Sequence, residues 1–134
     1  MAGRAVPIQR FDFNGVNAPP RQGVPESGWW WNPAESGRGY FIEWQNGTLD
    51  MAGFMYDDAG NPIWYLVVAD TPDPAVLPSG WTRYANGQTL TGTYKPPSSP
   101  PTNVAPVTIQ FDSTTTGTMT LPGNKSIRIE RQPF

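Results

Sequence analysis

A chain of 134 residues with neither cysteine nor histidine is long enough to bury a core as one domain. It does so without a disulfide staple, a thiol nucleophile, the usual zinc ligands or the ordinary general base near neutral pH. A formal net charge of -2 with 15% charged residues leaves no electrostatic footprint for nucleic acid and no basic patch for anionic lipid, so neutral partners are favoured. The 14 glycines, 16 prolines and 13% aromatic content predict short strands, many turns and little helix.

No apolar run approaches the roughly 20 residues of a membrane span, and residues 1–27 lack the apolar centre of a signal peptide. The Trp-rich, Lys-poor, turn-rich composition suits an exported module (periplasm, cell surface or extracellular), its opening Met-Ala-Gly-Arg standing where a signal was removed. Residues 1–27 carry Pro7, Pro19, Pro20 and Pro25 and read as an extended arm with one strand-like piece over 6–13. Such an arm is either a disordered leader or is pinned to the domain by Phe11 and Phe13. Residues 28–134 form the single module.

The densest stretch is Gly28-Trp-Trp-Trp-Asn-Pro-Ala-Glu-Ser-Gly-Arg-Gly-Tyr-Phe-Ile-Glu-Trp44, a strand-turn-strand unit. In an extended chain Trp29 and Trp31 share one face and Trp30 takes the other. Asn32-Pro33 breaks the strand, and from Gly39 the period is two, with Tyr40, Ile42 and Trp44 against Phe41, Glu43 and Gln45. Asn46-Gly47 supplies the positive φ angles of a tight hairpin, which pairs residues 48–56 with the preceding strand. There Leu49, Met51, Gly53 and Met55 oppose Ala52, Phe54 and Tyr56. A turn at 57–62 leads to a strand over 63–70, so the central hairpin is apolar on both faces.

Pro72, Pro74 and Pro78 predict a loop over 71–79, because proline removes ladder donors. A short strand over 81–84, the turn Asn86-Gly87 and a strand over 88–95 predict another hairpin, followed by a solvated Pro-rich connection over 95–102. Alternation resumes with Val107, Ile109 and Phe111, then residues 114–121, a turn at Pro122-Gly-Asn124, and Ile127 and Ile129. About eight strands with closely spaced turns predict an all-β, antiparallel up-and-down meander closed into a small β-barrel, since closure removes exposed edges. A barrel of that size holds either packed side chains or one small ligand.

The segment from Gly28 to Gly39, the turn Tyr56-Asp-Asp-Ala-Gly-Asn-Pro-Ile-Trp64, Thr91-Gly92-Thr93-Tyr94 and the ending Ile129-Glu-Arg-Gln-Pro-Phe134 resemble a poorly characterised module of exported proteobacterial proteins. That module's signature is Trp-Trp-Asn-Pro-x-Glu-Ser-Gly-x-Gly. The resemblance spans about residues 28–134 and implies an exported setting, often repeated or beside other domains, without an activity. A Gly-x-Trp at the first strand, the meander and Thr-Gly-Thr-Tyr also resemble the avidin and lipocalin type of barrel, at the level of the fold alone. The polar set of a biotin site has no counterpart here.

Glu35 and Glu43 are the carboxylates to weigh as an acid–base pair for a hydrolase, but Glu35 sits in a turn and Glu43 lies between outward residues. Asp57-Asp58-Ala-Gly-Asn lacks the spacing of a calcium loop. Ser27 and Ser36 have only Lys95 and Lys125 as conceivable bases. No metal and no cofactor is implied. The aromatic set is larger than a core of this size needs. The leading reading is therefore a non-enzymatic binding module. It places Trp30, Trp31, Tyr40, Trp44, Trp64 and Tyr65 around a pocket or face for a neutral small molecule or glycan, with Glu35 and Arg38 fixing its polar groups. The alternative is an interaction domain that forms a homo-oligomer through its doubly apolar strands.

Overall fold

Alternation decides the architecture. In the computed structural model, which describes residues 3, 5–19, 22–98 and 105–134, eight strands follow one another: β1 (Gly28–Trp31), β2 (Gly39–Gln45), β3 (Thr48–Tyr56), β4 (Pro62–Asp70), β5 (Val76–Arg83), β6 (Ala105–Phe111), β7 (Thr116–Leu121) and β8 (Lys125–Arg131). Each pairs antiparallel with the next, and β8 returns to β1 through Trp30 opposite Arg131 and Trp31 opposite Glu130, closing the barrel. Helix is confined, among the described residues, to one 3-10 turn at Pro122–Asn124. Met1, Ala2, Arg4 and Pro20, and the far end of the Pro-rich connection over 95–102, lie outside the described residues.

Register carries the inward set around the barrel. Tyr40 lies opposite Gly53, Ile42 opposite Met51 and Trp44 opposite Leu49; Gly53 in turn faces Tyr65, and Met51 faces Val67. From the other side Leu77, Val107, Ile109, Met119 and Ile129 meet them, all fully buried, together with Trp30. Burial of each such side chain contributes about 1.5–3 kcal/mol, and together they fill the middle of the barrel. A ligand therefore has access only at the two ends or on the outer wall.

The turns set that register. Asn46 (φ 52) and Gly47 (φ 93) form the two-residue hairpin that places Gln45 opposite Thr48, a conformation Asn-Gly adopts with least strain. At the other end of β3, the Asp57 carboxylate accepts the backbone N–H groups of Ala59 (3.0 Å) and Asn61 (2.8 Å). Those bonds, with Asn61 contributing most, hold its carboxyl below the usual carboxylate range.

Two expectations between β4 and β6 are corrected. The strand expected over 81–84 begins earlier, at Val76, and carries Pro78 inside it, paired with Thr108. The Phe111 N–H bonds to the Ala75 carbonyl, which makes 75/111 a hydrogen-bonded pair and 78/108 a non-bonded one. The missing N–H of Pro78 thus points away from β6. Pairing of β5 with β4 is confined to Tyr65–Arg83 and Leu66–Thr82, so that donor is not needed. The expected second hairpin is absent: residues 84–98 are irregular, with one bridge between Ala85 and Ser98, and Leu90 is fully exposed. Alternating residues without a neighbouring strand to cover them have nothing to bury.

The arm contains no strand among its described residues, but it is docked. Gln45, almost fully buried, accepts the N–H groups of Phe13 and Asn14 (3.0 Å each) and donates to the Phe11 carbonyl (2.9 Å). Asn14 reaches Thr48 Oγ1 at 2.8 Å, and Arg10 pairs with Glu43. The side-chain amides of Gln45 and of Asn46, which donates to the Asn14 carbonyl at 2.7 Å, hold the backbone of the arm, while Phe11 remains mostly exposed and Phe13 is half-buried.

Candidate functional site

The connections at 32–38, 57–61, 84–98 and 122–124 surround one end of the barrel, here the upper mouth. Below its rim lies a recess of about 170 Å³ lined by Arg38, Tyr40, Met55, Tyr65, Trp81, Ala105, Leu121 and Pro122. Alternation explains the membership: Arg38, the last residue before β2, and Tyr40 within it share one parity, and Met55 and Tyr65 are inward on β3 and β4. Trp81 forms the floor. Its ring stacks on Tyr40 (6.0 Å between centroids, 28° between planes) and tilts against Tyr65 (6.0 Å). The space it occupies exists because residue 53 is glycine; a Cβ there would lie 2.9 Å from the Trp81 ring.

The recess is mostly apolar, its polar groups being the Arg38 guanidinium and the hydroxyls of Tyr65 and Tyr40. Tyr40 is 1% exposed and its hydroxyl, sealed from solvent, has no hydrogen-bond partner. Burial pushes its ionisation above the ordinary 10.0, an effect that Arg38 partly offsets. A buried hydroxyl left unpaired costs about 1–3 kcal/mol. Arg38 at the rim is engaged by Glu35 in an ion pair that is partly open to water. Glu35 itself is set by a turn in which its N–H bonds to the Asn32 carbonyl (2.9 Å) and the Ala34 N–H bonds to Asn32 Oδ1 (3.0 Å). The Glu35 carboxylate is thus used by Arg38, not by the backbone of its turn.

The eight residues singled out in the sequence are divided among four places. Arg38, Tyr40 and Tyr65 line the mouth, and Glu35 stands beside it. Trp30 lies in the central core, edge-on to Phe111 (5.4 Å), with its indole N–H donated to the Glu26 carbonyl at 2.9 Å. Trp44 sits at the lower end, where it borders a second cavity of about 530 Å³ between the barrel and the arm. There Gln45 is occupied by the arm and Ser27 Oγ accepts the Trp44 backbone N–H, while the Trp44 indole N–H is buried without a partner. Trp31 and Trp64 face outward. Alternation alone separates Trp30 from Trp31 and Trp64 from Tyr65, because adjacent strand residues point to opposite faces.

Trp64 belongs to a row of outer rings that sequence analysis did not assemble. Trp29 meets Phe41 (5.4 Å) and Phe54 (5.7 Å), and Trp64 stacks on Tyr84 (5.4 Å, 13°). Phe54 lies directly across from Trp64 on one side and from Gly39 on the other. Trp29, Phe54 and Trp64 are each about 40% exposed. The opposite outer wall instead carries Thr108, Gln110, Thr118, Thr120, Ser126 and Arg128. The signal available in the sequence was the inward assignment of Tyr40, Ile42 and Trp44, which forces Phe41 outward.

Glu35 and Glu43 are not brought together. Glu35 stands beside the mouth, whereas Glu43 lies four residues into β2, about 13 Å along the strand from Gly39, and faces outward. Its neighbour is Asp50, directly opposite on β3. One oxygen of Asp50 is buried without a partner, and burial, then Glu43, raises its carboxyl above the usual range. No group of three or more acidic side chains able to hold a metal occurs among the described residues, and no helix there is long and apolar enough to cross a membrane.

The fold and mouth define a small closed antiparallel barrel with a mostly apolar recess whose wall holds a buried, unpaired hydroxyl. The chain matches no protein-family model, no curated protein and no solved structure.

Proposed function

We propose that this barrel is a non-enzymatic binding module that takes a neutral small molecule into its upper mouth. The observation that carries the reading is the Tyr40 hydroxyl, buried and unpaired in the wall of a mostly apolar recess. Binding sites combine apolar walls with few polar groups that fix orientation, and an unpaired buried hydroxyl is a cost that a ligand's polar group removes. Tyr65, Trp81 and Met55 supply apolar contact, while Arg38 and Glu35 neutralise one another at the rim. The composition and the Trp-Trp-Asn-Pro motif support an exported setting for the module. Calorimetric titration with neutral ring compounds tests the reading: saturable one-to-one binding that is weakened when Trp81 is replaced by Ala supports it, and binding unaffected by that change opposes it.

A second reading is favoured by the outer ring row. An aromatic wall across β1–β4, uninterrupted by charge at Trp29, Phe41, Phe54 and Trp64, is the kind of exposed patch that marks a protein interface. In that reading the chain self-associates through this wall. Sedimentation equilibrium of the wild type and of Phe54→Lys separates the readings: a dimer abolished by the substitution favours the interface, and a monomer at all concentrations removes it.

A further inference from the structure

We infer that the ligand of the mouth is a single six-membered ring bearing one uncharged hydrogen-bonding substituent, with the ring in the apolar recess and the substituent on the Tyr40 hydroxyl. The inference rests on the mouth being a binding site and names what that site takes. Size sets the first limit. The recess measures about 170 Å³, and an apolar cavity of about 150 Å³ is known to hold one benzene. Depth cannot add to it, because Trp81 is 4% exposed and the fully buried core lies beneath.

Polarity sets the second limit. Of the lining side chains, Tyr40 offers a buried hydroxyl with no partner and Tyr65 a half-buried one that water can reach, while the Arg38 guanidinium already holds Glu35. A phenol, alcohol or carbonyl oxygen on the ring gives Tyr40 its missing partner without separating that ion pair. A carboxylate on the ring would have to compete with Glu35 for Arg38 and lose its own hydration in an apolar recess.

Access sets the third. The hydroxyl is sealed in the unliganded barrel, and the inward position above it, toward the rim, is Arg38. Arg38 sits next to Gly37, whose φ of +95 is open to glycine at little cost. The Glu35 side chain is 42% exposed and the Arg38 side chain 24%, so the two can move as a unit without separating, giving up the packing of the Arg38 stem against the recess. Swinging this pair outward uncovers the hydroxyl, and its return covers the seated ring.

The test is calorimetric titration of the full chain with p-cresol, toluene and 4-methylbenzoate. The expected result is p-cresol binding about three- to tenfold tighter than toluene, the range that one hydrogen bond supplies, with 4-methylbenzoate the weakest. In Tyr40→Phe the ratio of p-cresol to toluene affinity falls toward one. Toluene equal to p-cresol in the wild type, or an unchanged ratio in Tyr40→Phe, overturns the role of the hydroxyl while leaving the recess as a site. 4-Methylbenzoate as the tightest of the three overturns the neutral class. Failure of all three to bind overturns the ligand class and the mouth reading together. The wild-type comparison decides between these outcomes even if the variant fails to fold.

Discussion

Replacing Tyr40 by Phe removes one oxygen from the wall of the mouth and leaves the ring. The Tyr40–Trp81 stack survives the change, since it depends on the rings alone. What disappears is a hydroxyl with no partner and no solvent, whose burial costs about 1–3 kcal/mol. The substitution is therefore expected to raise stability by about 1 kcal/mol or more, against the usual loss of about 1 kcal/mol for a buried change. Urea unfolding at neutral pH measures it as a higher midpoint with an unchanged slope. The pH dependence adds a signature of its own. Burial raises the Tyr40 ionisation above 10.0 in the folded state, so the folded form keeps its proton longer than the unfolded form. The corresponding stability is present below pH 10 and is lost as pH rises from 10 through the folded value. Tyr40→Phe should lack that part of the alkaline loss. A variant destabilised by 1 kcal/mol would mean the hydroxyl has a partner, and the reasoning behind the mouth would fail.

Three further substitutions probe the parts that shape the site. Gly53→Ala places a Cβ 2.9 Å from the Trp81 ring and is expected to cost about 1–3 kcal/mol by overpacking, read as a lower urea midpoint with a blue- or red-shifted tryptophan emission. Asp50→Asn removes a like charge directly across from Glu43 and should stabilise the barrel at pH 7 by about 0.2–1 kcal/mol. Because the Asp50 carboxyl is raised in the folded state, that gain shrinks as pH falls through the folded value toward 3.8, where the wild type is protonated too; a pH series of melting temperatures checks the sign. Gln45→Ala deletes three hydrogen bonds to the arm and should free residues 10–18 for rapid amide exchange and proteolysis while the closed barrel persists.

Much of the fold was legible because a half-buried strand writes its orientation into every second residue. Tyr40-Ile42-Trp44, Leu49-Met51-Gly53-Met55 and Ile127-Ile129 point inward as their alternation requires, and Asn46-Gly47 sets the register between the first two. Pro78 departs from the expected loop because the rule against proline in a strand assumes that both edges need donors, and β5 leaves one of its edges largely unpaired. Residues 88–95 alternate convincingly, but alternation becomes a strand only beside a neighbour, and the chain supplies none there. Within the mouth, Arg38 and Tyr40 could be placed together from their parity. Trp81 and Met55 could not, since their meeting depends on the closure of strands far apart in sequence and on the gap left by Gly53. Trp30, Trp44 and Trp64 are equally large rings, yet one is core, one a neighbour of the arm and one part of the outer wall, distinctions that ring size does not carry.

The six tryptophans place indole N–H reporters at the mouth, the core, the lower end and the outer wall. A proton–nitrogen correlation spectrum of the full chain titrated with p-cresol therefore tests the central claim most directly. Saturable movement of the Trp81 indole resonance, with those of Trp29 and Trp64 unmoved, is the predicted result. Movement of Trp29 and Trp64 with Trp81 unmoved would transfer binding to the outer wall, and no movement of Trp81 at saturating p-cresol would contradict the mouth as the ligand site.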